Sequence, residues 1–82
     1  MTVKQHLELF LWWHQTTKKK FKTHDVQNLS NRSVAKFGRR LGSPGTYTRV
    51  FRKLREQEIY NVIKLKSNDS NESTWFVRSE ND

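Results

Sequence analysis

Residues 43–66, SPGTYTRVFRKLREQEIYNVIKLK, change from helical to strand periodicity within a few positions, and that change constrains the fold more than any other feature. Ser43 is placed to cap free amides, and Pro44 follows at the first turn, where a helix tolerates it. The spacing predicts a helix over 43–58. At 100° per residue Tyr47, Val50, Phe51 and Leu54 form one apolar stripe, and Arg49, Arg52 and Lys53 fall on the opposite side. Gly45, Thr46 and Thr48 leave small groups at the N-terminal end. A helix with an apolar back and a cationic front suits a groove lined with phosphates.

Upstream, the pattern predicts a first helix over 3–17, with Val3, Leu7, Phe10, Leu11 and His14 on one face and Leu9 and Trp13 widening it. Trp12 falls among Gln5, Glu8 and Gln15. That position reads either as a snorkelling surface tryptophan or as a self-association surface. TTKKKFKT at 16–23 is a basic connector, expected to bury Phe21 and able to form a short edge strand. Thr23 is expected to cap a short helix over 24–31, with Asp25 in its first turn and Val26 and Leu29 inward. Ser33 is expected to open a second short helix over 33–41, with Val34, Phe37 and Leu41 inward and Gly42 ending it. Gly38 weakens that helix or allows a close approach.

After the basic helix, residues 59–66 are rich in β-branched and aromatic residues, with Ile59, Ile63 and Leu65 on one face. SNDSNES at 67–73 reads as a loop and TWFVR at 74–78 as a strand, so 59–78 is expected to be a hairpin. The tail 79–82 is expected to fray. The predicted class is mainly α with a C-terminal β-hairpin, in one domain over 1–82, because 82 residues cannot be split into two self-sufficient cores.

The net charge is +8, and it is unevenly placed. Residues 18–66 hold 14 Lys and Arg against Asp25, Glu56 and Glu58, whereas residues 67–82 hold Arg78 against four carboxylates. The positive field therefore belongs to the body of the chain, which fits a polyanionic partner. The chain has no cysteine, so disulfides and thiolate zinc sites are excluded. The longest apolar run, LFLWW, is too short for a membrane span, and MTVKQHLE lacks a signal-peptide pattern. An intracellular protein, cytoplasmic or nucleoid-associated, is expected.

Helix, basic connector, two short helices, basic helix and hairpin follow in an order that resembles the winged helix-turn-helix family of DNA-binding domains. The likeness covers residues 3–78 and rests on that order together with LGSPGTYTRVFRKLREQEI. It implies a recognition helix in the major groove of double-stranded DNA, with Thr46, Thr48, Arg49, Arg52 and Lys53 at the groove. It further implies Arg39, Arg40 and Ser43 at the turn near phosphate, and Lys64 and Lys66 on the wing. The wing tip departs from the family, since Asp69 and Glu72 stand where many wings present cations, and a carboxylate near phosphate is repelled. Independently of the family, arginine can fork onto guanine or phosphate, while Lys18, Lys19, Lys20 and Lys22 can grip phosphate as point charges.

His6, His14 and His24 form no i, i+4 pair, so no metal site is expected, and no nucleophile stands in a fixed relation to a base. Neither an enzyme nor a cofactor-binding protein is expected. The leading function is DNA binding, as a small transcriptional regulator or as an accessory factor in replication or recombination. Palindromic readout would need a homodimer, with the Trp12 side of the first helix as its interface. The alternative is a protein-interaction module whose cationic face docks on an acidic protein such as a polymerase. RNA binding would need exposed aromatics on a sheet, for which Tyr60, Trp75 and Phe76 are the candidates.

Overall fold

A computed structural model describes residues 1–58, 60–65 and 73–78. The elements in chain order are α1 (Val3–Thr17), β1 (Phe21–Lys22), α2 (Thr23–Phe37), α3 (Pro44–Glu56), β2 (Asn61–Leu65) and β3 (Thr74–Arg78). The described residues are mainly helical, with a small antiparallel sheet in the order β1-β3-β2. The expectations for Ile59, Lys66, the 67–72 stretch and the 79–82 tail lie outside the described residues.

α1 has the predicted bounds because its start is closed reciprocally. The Gln5 amide donates to Thr2 Oγ1 at 3.2 Å, and the Thr2 amide donates to Gln5 Oε1 at 2.9 Å. Its buried side, Val3, Leu7 and Leu11, meets Tyr47, Phe51 and Leu54 of α3 and Val26 and Leu29 of α2 in one core, closed by Phe21, Trp75 and Val77 from the sheet. Leu9 and Trp13 do not widen that buried face as expected. They are half-exposed, because Phe10 and His14 already fill the space against Phe21.

The two short helices expected over 24–31 and 33–41 are one helix, α2. Ser33 is not a cap. It lies inside α2, fully buried, donating to the Ser30 carbonyl at 2.7 Å and accepting from the Leu41 amide at 3.1 Å. The helix ends at Gly38, whose φ of 77° is the left-handed geometry that glycine adopts without strain. Gly42 therefore does not end a helix; a Cβ there would lie 2.8 Å from Val3 Cγ2, so glycine lets the connector approach α1. Thr23 is likewise the first helical residue rather than the cap. The cap position is Lys22, whose amide donates to Asp25 Oδ2 at 2.8 Å. Val34, expected inward, is exposed, and Phe37 and Leu41 are half-buried.

α3 starts as predicted, with Ser43 as its cap, and ends at Glu56. Glu58 follows in a left-handed conformation, φ 55°. The β2–β3 pairing expected from alternation is present, with Val62 opposite Val77, Ile63 opposite Phe76 and Lys64 opposite Trp75. Short β1 adds a third strand through Phe21 opposite Trp75. The sheet face turned to the core carries Val62, Trp75 and Val77, which puts Ile63, Leu65 and Phe76 on the other face, half-buried.

Candidate nucleic-acid interface

The α3 surface is built by its own first turn. The Ser43 hydroxyl accepts from the Thr46 amide at 3.2 Å and shares a second hydrogen bond with the Thr46 hydroxyl at 2.9 Å. The Thr48 hydroxyl donates to the Pro44 carbonyl at 3.0 Å. These hydroxyls brace the helix start, and each retains at least one free hydrogen-bonding position. With Tyr47, Phe51 and Leu54 buried, helical geometry puts Arg49, Arg52 and Lys53 outward, and all three are exposed. Arg52 pairs with Glu56 at 3.3 Å, both groups in solvent, a contact worth a few tenths of a kcal/mol. The Arg49 and Lys53 side chains have no ion-pair or hydrogen-bond partner among the described residues.

The connector 38–43 carries Arg39 and Arg40, both exposed, and delivers them beside the N-terminal end of α3. Arg40 Nη2 donates to Asn31 Oδ1 at 2.9 Å, a contact to the middle of α2 with no signal in the sequence. The connector is held by two buried serines. Ser30 Oγ donates to the Gly42 carbonyl, and Ser33 takes the Leu41 amide as described.

Lys64 is exposed on β2, directly across from Trp75 and so on the same sheet face. Trp75 links it to α3, because the Arg55 guanidinium lies 4.3 Å from the Trp75 ring centroid and 5.1 Å from that of Phe51. Burial, then the neighbouring Arg52, holds the Arg55 pKa below the ordinary arginine value. Its Nε is buried and lacks a hydrogen-bond partner among the described residues. The chain matches no protein-family model, no curated protein and no solved structure. Geometry and electrostatics therefore carry the functional reading on their own.

The remaining predicted contacts are less concentrated. Lys19 places its ammonium 5.4 Å from the Trp13 centroid, on the outward side of α1 and away from α3. Lys18 occupies the left-handed cap of α1, and Lys20 is exposed on the connector. Lys22 is exposed on β1, where alternation with buried Phe21 turns it from the core. The sheet does not form a base-stacking platform of Tyr60, Trp75 and Phe76: Trp75 is buried, and its Nε1 donates to Thr23 Oγ1 at 3.1 Å.

His6 and His14 belong to the core. His6 Nδ1 shares a 2.7 Å hydrogen bond with the Tyr47 hydroxyl, and His14 Nδ1 donates to the Phe10 carbonyl at 2.9 Å. No group of three or more His, Cys, Asp or Glu is arranged to hold a metal among the described residues, and no described helix is long and apolar enough to cross a membrane.

Proposed function

We propose that this chain is a winged helix-turn-helix protein that binds double-stranded DNA by laying α3 in the major groove, acting as a small transcriptional regulator or a replication or recombination accessory factor. The observation that carries the reading is the outward face of α3, where Arg49, Arg52 and Lys53 stand exposed beside Arg39 and Arg40. Two features of the architecture support it. α2, a six-residue connector and α3 form a helix pair whose turn is tied by two serines, and the antiparallel β2–β3 pair follows α3 in the chain. In this reading Arg49 and Arg52 reach base edges or phosphates, Lys53 and Lys64 hold phosphate, and Ser43 and Thr46 meet the backbone at the helix start.

Fluorescence anisotropy of a labelled random duplex at several salt concentrations tests this. If about six cations neutralise phosphates, log K falls against log salt with a slope of about −5. The double variant Arg49→Ala, Arg52→Ala should weaken binding and flatten the slope by about 2. Absence of binding even at about 50 mM salt would sink the DNA reading and turn the search to an acidic protein partner for the same face.

A further inference from the structure

Of the five exposed large apolar side chains among the described residues, all but Val34 of α2 cluster on Met1 and the side of α1 turned from the core. Trp12 is 56% exposed, Met1 48%, Trp13 46% and Leu9 45%. The two indoles alone leave on the order of 200 Å² of ring surface in water, and the four side chains together reach the size of the largest apolar patch an ordinary monomer shows.

This ridge is flanked by two grooves. On the α2 side a groove of about 530 Å³ is lined by Leu9, Trp12, Trp13, Leu29, Arg32 and Lys36, so Trp12 stands on the ridge between the two grooves and borders both. On the other side a more open groove of about 650 Å³ runs past Met1, Glu8, Trp12 and Tyr60. Knob and groove therefore occupy one surface, as a two-fold interface requires, because the same patch must serve as donor and receiver. The charges are complementary in the same sense. The flank past Tyr60 carries Glu8, while the α2 groove is lined by the cations Arg32 and Lys36 together with the one carboxylate Asp25. α1 itself holds only Lys4 and Glu8, so two copies of a +8 chain meet here with less repulsion than through the α3 face.

We propose that the occupant of this surface is a second copy of the chain, with Trp12 of each protomer seated in the α1–α2 groove of its partner and Glu8 of each approaching the partner's Arg32 and Lys36. The core fixes what such a dimer looks like. Val3, Leu7 and Leu11 of α1 face Tyr47, Phe51 and Leu54 of α3, so the outward sides of the two helices point away from each other. Pairing through α1 sets the protomers back to back, with their α3 faces on opposite sides. Such a dimer does not offer two adjacent recognition helices to a palindrome on one straight duplex. It holds two duplex segments at once, a consequence that rests on the DNA reading above, whereas the pairing does not. The interface falls at the low end of specific contacts, near 1,000 Å² in total, so association is concentration-dependent.

Sedimentation velocity of the full chain and of Trp12→Glu, a surface change whose helicity is checked by circular dichroism, is the first test. The dimer dissociation constant should rise at least about tenfold in the variant, as for a buried aromatic anchor. Because the chain has no cysteine, Leu9→Cys should yield a disulfide-linked dimer on mild oxidation and Arg49→Cys should not. The wild type should retain a labelled duplex on beads carrying a second duplex, while Trp12→Glu binds duplex without bridging. A wild type monomeric to several hundred micromolar, a dimer indifferent to Trp12→Glu, or cross-linking through Arg49→Cys but not Leu9→Cys would overturn the pairing. One duplex per dimer without bridging would overturn the back-to-back arrangement. If the dimer responds as expected but neither protein binds DNA, the pairing stands and the DNA reading fails.

Discussion

Three positions hold the geometry beneath the cationic face. Gly42 is held by space rather than by backbone conformation, since a Cβ would meet Val3 Cγ2 at 2.8 Å and Thr46 Cγ2 at 3.2 Å. Gly42→Ala must displace the Val3 side chain or the connector and should cost about 1–3 kcal/mol in urea unfolding, the range for overpacking. Ser33 satisfies the Leu41 amide, so Ser33→Ala leaves a part-buried donor unpaired and should cost a similar 1–3 kcal/mol. Arg55 poses the opposite case. Its stem and guanidinium cover Trp75 and Phe51, yet its Nε is buried without a partner among the described residues. Arg55→Met keeps the coverage and removes the orphan donor, so its stability should stay within about 1 kcal/mol of wild type, whereas Arg55→Ala loses packing and the cation–π contact, about 1–2 kcal/mol. Of these, the sequence exposes only Arg55, one position off the stripe of Tyr47, Phe51 and Leu54. Gly42 and Ser33 carry signals that local rules assign to helix ends, and only the tertiary contacts reveal their use.

Each helix was legible to the degree that its ends were marked by local chemistry. α3 follows from Ser43, Pro44 and a single apolar stripe, and α1 from its periodicity; α2 reads as two helices because Ser33 resembles a cap and the intervening Asn31 and Arg32 interrupt the apolar pattern. The strands were legible as strands, but alternation alone could not say whether Ile63 or Val62 faces the core, because both faces of β2 carry apolar residues. α1 also carries a pH dependence that spacing alone does not show. Burial is the main cause that holds His6 and His14 below the ordinary histidine pKa, reinforced by Lys36 and Arg32 at His6; at His14 the Phe10 carbonyl and Asp25 oppose it. The unfolded chain therefore binds protons first as pH falls through 6.5. Stability contributed by these imidazoles is fully present above that value and is lost below it. Urea midpoints should fall between about pH 7 and 5, before most carboxylates titrate. His14→Phe, which keeps a ring among Phe10, Trp13 and Phe21, should reduce the loss.

At the scale of the molecule, charge sets one further expectation, in which stability and binding respond oppositely to the same variable. Sixteen Lys and Arg face eight Asp and Glu on a body 35 × 30 × 22 Å across. At about 0.01 M salt the Debye length is about 30 Å, so cations on every side repel one another, while at about 0.15 M it is about 8 Å and only neighbours interact. The unfolded chain spreads the same charges apart. Raising salt should therefore stabilise the free protein, and a gain of about 1 kcal/mol would lift Tm by roughly 4–8 °C for a domain of this size. A bound duplex reverses the sign. DNA stabilises the folded state by mass action, and added salt removes that stabilisation as counterions compete for the phosphates. Thermal scans across a salt series, with and without saturating duplex, should thus give two lines that converge as salt rises, the free protein climbing and the complex falling. Parallel rising lines would mean that duplex does not engage the cationic surface at all. Two falling lines would mean that ion pairs, rather than repulsion, dominate the free protein, contrary to the imbalance of charge on its surface.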